Sequence, residues 1–403
     1  MQNQIVKTLL LFGALVLTGC MEMQNPYSDG LNRLTVSAVY PSDHADATRA
    51  GVAVTVESVS GGSAYSLATD ASGTASTTLP NGIYRISISD RNGSDIFNGS
   101  VDKVIISGQD VTVSLPLKYS KAGTLVIKEL YCGGCSKAPE EGTYQSDKYV
   151  ILHNNDSQVT YLDGLCLGTL SPYNSTGANP WADSDGNLPD FLPIIQAIWQ
   201  VGGTGTSFPL NPGEDAVICL HGAIDHSAQY PLSVNLNQPD YFVCYNQSYF
   251  PNPSYHPVPG DKIRPERHLE VVIKTGQANA YTLSVNSPTF VIFRAQDTDI
   301  RSFVAVPENL RQVPGGSERV VAVPEDWIID GMEVFNGGSS DNHKRLSPAI
   351  DAGYVALSET FKGRTLMRRV DEAASAEQGF EVLMDTNNST ADFYERETQS
   401  LHK

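Results

Sequence analysis

The loop Asp183-Ser184-Asp185-Gly186-Asn187-Leu188-Pro189-Asp190 sets oxygen side chains at alternate positions around a glycine, the donor set that a hard cation such as calcium takes. Asp183, Asp185, Asn187 and Asp190 are the candidate ligands. The twelfth position, acidic in an EF-hand loop, is Ile194, and an Asx turn in which Asp183 bonds its own backbone is the competing reading. Asp385-Thr386-Asn387-Asn388 repeats the theme more weakly. His221, Asp225 and His226 would make a transition-metal site if they converged, although a spacing of five puts the two histidines on one face of neither helix nor strand. Cys132 and Cys135 have the Cys-x-x-Cys spacing of redox centres. They follow a strand-like run and lead into a Pro/Glu/Gly loop, which favours a turn disulfide or two free thiols. Cys219 and Cys244 lie in two strand-like runs and would bond if those strands were neighbours. Without a second Cys-x-x-Cys pair, a four-cysteine zinc site is excluded. Tyr241, Tyr245, Tyr249 and Tyr255 crowd a proline-rich stretch suited to stacking on a sugar ring or gripping a peptide. The competing reading is that these rings cover core beneath a long loop.

No Gly-x-Ser-x-Gly elbow, phosphate loop or dinucleotide fingerprint is present. Composition narrows the classes further. The formal charge of -18 argues against nucleic acid or anionic lipid as a partner. Charged residues make up only 18%, while 34 glycines, 23 prolines and 18 tyrosines leave little room for long helical patterns. That is the composition of an all-β extracellular protein.

The amino terminus supplies a location. Lys7 precedes a nearly uncharged apolar run over residues 8–17, which is shorter than the roughly 20 residues a membrane-spanning helix needs. Leu17-Thr18-Gly19-Cys20 then places small residues before a cysteine and resembles the bacterial lipobox. The resemblance implies a signal peptide over residues 1–19, cleavage before Cys20, and acyl chains on that residue. Cleavage removes Lys7 and moves the charge from -18 to -19. Residues 20–30 read as a polar tether.

Behind the tether, period-two runs recur about every ten residues from Leu34-Thr35-Val36 to Val111-Thr112-Val113, the pattern of a β-sandwich. Gly51-Val52-Ala53-Val54-Thr55-Val56, Thr69-Asp70-Ala71-Ser72-Gly73-Thr74 and Leu79-Pro80-Asn81-Gly82-Ile83-Tyr84 resemble the carboxypeptidase-regulatory-like (transthyretin-like) Ig domains, over residues 31–118. A second region opens with Val126-Ile127-Lys128-Glu129 and Tyr149-Val150-Ile151-Leu152-His153-Asn154 and resembles a lamin-tail β-sandwich. Its closing strands are expected only near Gly363–Arg369 and Asp385–Phe393. A long elaboration lies between, including a short helix expected over Asp190–Trp199. Ile127-Lys128-Glu129, Tyr161-Leu162-Asp163-Gly164-Leu165-Cys166, Gly186-Asn187-Leu188-Pro189-Asp190 and Leu210-Asn211-Pro212-Gly213-Glu214 make residues 124–394 similar to domain of unknown function 4876, found in envelope lipoproteins of Bacteroidota. That family implies architecture and location rather than chemistry.

The expectation is therefore an all-β chain: an N-terminal Ig-like β-sandwich and a larger, elaborated lamin-tail-like β-sandwich, lipid-anchored at the outer membrane on its periplasmic face or the cell surface. It would bind a glycan, peptide or nutrient, or partner an outer-membrane transporter, with no cofactor required and calcium the one ion the Asp183 loop suggests. A metal-assisted envelope hydrolase using the Asp183 or His221/His226 loop is the second reading. A structural or assembly component is the third.

Overall fold

The computed structural model describes residues 30–402 apart from Ser63 and Gly338, so Cys20 and the signal-like segment lie outside the described residues. The first unit is two facing sheets. Asn32–Val39 sits between antiparallel Thr74–Leu79 and parallel Val111–Pro116. The opposite sheet runs in the order Tyr65–Ala68, Ala53–Ser58, Gly82–Asn92, Asp95–Ile106, Lys118–Lys121. Burial alternates along Asn32–Val39, because one face of the strand meets the core and the other meets water. Leu34, Val36, Val54, Val56, Ile86 and Ile88 form the centre of that core. The hairpin at Asp70 is closed by its own carboxylate, whose Oδ1 accepts from the Ser72 and Thr74 amides, with Gly73 at φ +77.

The larger unit is a second sandwich. A six-stranded sheet is ordered Phe242–Val243, Asp215–Cys219, Tyr149–Asn154, Leu125–Tyr131, Thr365–Arg368, Phe393–Arg396. The opening strand thus pairs with one that arrives near the end of the chain, Leu130 opposite Leu366. The facing sheet has Phe191–Gln200 and Cys166–Leu170 at its middle, flanked by Arg319–Pro324 and Thr289–Phe293, with Ile328–Asn336 beyond. Ile127, Val150, Leu152, Trp199, Phe290 and Val334 share the core between the sheets. Each sheet is also covered on its outer face. Ile194, Ile198, Val291 and Phe293 pack under the short helix Ile300–Val304 and Trp327, and Tyr131, Tyr149, Val217 and Val243 pack under the 223–263 loops. Strands buried on both faces carry unbroken apolar runs in place of alternation.

That double burial corrects one expectation. Residues Phe191–Gln200 form a strand, and the helix expected over Asp190–Trp199 does not form. Pro193 has no amide to donate within a helix, and the β-branched isoleucines fit a pleated surface. A kink at Gln196, with φ 64, is fastened by two side-chain hydrogen bonds to the backbone of Thr282.

The two sandwiches touch along a polar seam. Asn98, fully buried in the first, donates to the carbonyls of Thr386 and Asn387 at 2.7 and 2.9 Å. Asn387 reaches Ser120, Tyr354 donates to Glu57, and the Arg85 guanidinium lies 5.0 Å from the Phe335 ring centroid and 5.1 Å from that of Tyr354. The 385–388 segment at this seam is held from behind by Arg368. That buried guanidinium contacts Asp330 at 2.5 Å, Asp385 at 3.2 Å and Asp392 at 3.6 Å, and donates through Nε to the Ile127 carbonyl. The carboxylates in turn accept from the backbone: Asp385 from Gly123, Asp330 from Ile127, Asp392 from Thr386. The weak calcium motif Asp385–Asn388 is thus committed to a domain seam.

Removing the arginine leaves three carboxylates buried without their cation, so Arg368→Met is expected to cost about 3–5 kcal/mol in denaturant unfolding at pH 7; a loss under about 1 kcal/mol would show the cluster to be dispensable. Burial, opposed by Arg368 and reinforced by Asp385, raises Asp330 and Asp392 to about 7. The folded chain therefore keeps a proton that unfolded carboxylates, near pH 4, have released. The cluster's contribution is complete below about pH 4 and declines as pH rises towards 7. Asp330→Asn should flatten that part of the stability profile, and an unchanged profile in the variant contradicts the assignment.

Candidate functional site

The predicted chemistry residues do not converge. Asp183 Oδ1 accepts from the Asp185 and Asn187 amides at 2.9 and 2.8 Å, and Oδ2 accepts from the Asn187 side chain at 3.0 Å. These bonds, the Asn187 side-chain bond foremost, draw the Asp183 carboxyl below its ordinary value. Its oxygens face N–H donors, as in an Asx turn. Among the described residues no group of three or more His, Cys, Asp or Glu side chains is placed to hold a metal ion. His221 is fully buried, with Nδ1 on the Gln145 carbonyl, and His226 bridges Tyr144 and the Gly222 carbonyl. Asp225 faces outward, where it caps the short turn at His226–Ala228. Burial lowers both histidines, so they stand neutral as packing and hydrogen-bonding groups.

All five described cysteines are free thiols, the second of the two alternatives for Cys132 and Cys135. Cys132 faces the core between the sheets, whereas Cys135 turns towards Asp147. The Cys244 amide donates to the Cys219 carbonyl, so the two backbones are neighbours. Yet Cys219 belongs to the outer cluster and Cys244 to the inner one. Sulfurs on opposite faces of a sheet cannot meet.

The tyrosines divide in the same way. Tyr241 and Tyr245 pack against the outer cluster, and Tyr255 stacks edge-on to His221 with its hydroxyl near Gln145. Of the four, only Tyr249 is exposed, at 43%. The rings roof the sheet and form no exposed platform.

A buried polar group lies beneath that roof. Asp147 accepts from the hydroxyls of Tyr131 and Ser233, while its second oxygen has no protein partner. Burial raises this carboxyl and lowers the adjacent Lys148 to about 8. Neither residue lines either of the two clefts below.

Of these clefts, one of about 900 Å³ lies between the sandwiches, with Lys118 and Lys121 on one wall and Asp190, Glu325 and Asp326 on the other. The ion pair Lys118–Glu325, 3.5 Å, spans it. The other, about 490 Å³, is cut into the larger sandwich beside Arg267. The Arg267 guanidinium lies 4.6 Å from the Phe242 ring centroid and 5.5 Å from that of Phe208, and donates to the Asp240 carbonyl at 2.7 Å. Opposite stands the loop Gly202–Ser207. The Asp163 carboxylate pins it, accepting from the Gly205, Ser207 and Phe208 amides. Gly203, at φ +111, has no room for a Cβ, which would stand 2.1 Å from Asp163 Oδ1. Sequence reading passes over this pocket because its walls come from segments sixty residues apart. The Arg264-Pro265-Glu266-Arg267-His268 run and the glycines at 202, 203 and 205 were its only local signals.

Residues 211–400 match the family model described as a protein of unknown function, DUF4876. The crystal structure of a DUF4876 family protein from Bacteroides thetaiotaomicron is similar over 90% of this chain and 94% of that one, with a TM-score of 0.56 and 23% identity. Residues 211–400 are thus similar to the DUF4876 family, and the likeness extends through the first sandwich as fold. A DUF3823 family protein from Parabacteroides merdae matches 44% of the chain and 83% of its own length at 14% identity, with a TM-score of 0.18. No curated protein matches.

Burial pushes Cys132, Cys135 and Cys166 up to about 12 and raises Cys219 and Cys244 well above the ordinary thiol value. An aromatic disulfide reagent at pH 8 should therefore find the native thiols nearly inert and titrate all five after denaturation without reductant. A denatured count of three or one would restore the disulfides.

Proposed function

We propose that the chain is a non-catalytic lipoprotein of the cell envelope, anchored through Cys20, whose small sandwich holds the larger one in a fixed pose so that it binds a glycan or peptide or partners an outer-membrane transporter. The observation that carries this reading is the polar seam of Asn98, Arg85 and the 385–388 segment, lying downstream of a lipobox-like cysteine. A spacer that docks onto its cargo fits presentation at a surface. The dispersal of the candidate ligands and histidines supports binding over hydrolysis. The reading needs no cofactor.

The anchor and the binding are tested separately. Cys20→Ala in the native host should move the protein from the detergent phase to the aqueous phase and abolish fatty-acid labelling; retention in the detergent phase would remove the anchor. The mature protein should bind at least one member of a panel of host and dietary glycans, or co-purify with a β-barrel receptor from solubilised membranes. If both fail, the binding function goes with them.

A further inference from the structure

Arg267 is the unusual cation of this acidic chain. It is half-buried and laid across two aromatic rings that fix its plane, and it forms no ion pair with a described carboxylate. The pocket's two carboxylates are engaged by other arginines: Glu266 by Arg264, which also lines the pocket, at 3.6 Å, and Glu270 by Arg301. Arg267 spends one N–H on the Asp240 carbonyl. Its remaining donors have no protein acceptor among the described residues, although a guanidinium offers five in a planar fork that matches a carboxylate two to two. Partial burial strengthens such a contact relative to one in open water. The rest of the wall suits hydroxyl groups, because Glu266 and Glu270 keep free lone pairs for accepting and Ser207 can donate or accept. At about 490 Å³ the cavity falls within the range of small-ligand sites.

We propose that this pocket binds an acidic saccharide, with the ring carboxylate on Arg267 and the ring hydroxyls on Glu266, Glu270 and Ser207; the proposal rests on the binding function above and names its ligand class. Gly203 lets the opposite wall approach, and Asp163 holds that wall in place. With Arg264 paired to Glu266 and Glu270 paired to Arg301, Arg267 is the arginine left to take a single carboxylate among hydroxyl partners, and the two carboxylates disfavour a densely charged anion.

The test titrates the mature protein in detergent with an oligogalacturonate, with its methyl-esterified counterpart, with inorganic phosphate, and with a short peptide bearing a free C-terminal carboxylate, all at matched ionic strength. The uronate should bind about ten-fold or more tightly than its ester, the scale of one charge-assisted hydrogen-bonding group. Arg267→Gln should weaken uronate binding by about ten-fold or more, with Arg267→Lys falling between because it keeps charge but loses the fork. Since Arg267 also packs on Phe208 and Phe242, Glu266→Gln supplies a variant on the exposed rim. Its amide oxygen still accepts from a ring hydroxyl, and removal of a like charge should tighten uronate binding about two-fold. Equal binding of ester and acid, phosphate or peptide binding as tight as uronate, or an Arg267→Lys protein that binds as wild type would each overturn the proposal. Binding of some neutral glycan without any uronate affinity would overturn this ligand while leaving the binding function standing; no binding to any glycan, together with no receptor, would remove both.

Discussion

Arg368 is the residue on which the architecture depends. Three aspartates, Asp330 from one strand and Asp385 and Asp392 from a single later stretch, meet one guanidinium in a buried site, and each accepts from a backbone amide. Those amides belong to the linker at Gly123, the opening strand at Ile127 and the seam segment at Thr386. A buried ion cluster of this kind contributes little net stability compared with an apolar replacement, yet breaking it is costly. Its effect here is geometric. It makes the junction between the sandwiches a defined structure and keeps the 385–388 carbonyls in place for Asn98.

A second buried pair repeats the device nearby. Glu333 accepts from Arg345, from the Leu346 amide and from Thr289, and although burial alone would raise it, Arg345 and Lys344 hold it below its ordinary value. Both clusters flank the strand Ile328–Asn336, from which Asp330 and Glu333 project. The large elaboration between the sandwich's first and last strands is therefore tied down at the same place where the small sandwich docks. Function, on this account, lies in what that fixed body presents.

Much of the fold was legible because half-buried strands alternate. Leu34-Thr35-Val36 and Val52-Ala53-Val54 declare both their element and their inward face, and Pro80-Asn81-Gly82 declares its turn. Legibility falls where a strand is covered twice. Phe191–Gln200 lacks alternation, so its apolar run reads as a short helix although the sheet makes it a strand. The candidate site was far less visible. His221, His226, Cys132 and Cys219 look like chemistry in a list of residue types, but burial turns them into neutral packing groups. Arg267 and Gly203 look like ordinary loop residues, and their roles appear only when strands far apart in the chain bring the two loops together. The pairing of Asp163 with the 205–208 amides is likewise a tertiary fact with no local pattern.

The claim that binds these observations is that the two sandwiches behave as one body. Scanning calorimetry of the mature protein tests it most directly. The account predicts a single reversible transition in which the calorimetric and van't Hoff enthalpies agree, since the seam and the Arg368 cluster couple the loss of one unit to the loss of the other. Two separate transitions, with the small sandwich melting while the larger one keeps its full enthalpy, would show the spacer to be independent and contradict the account.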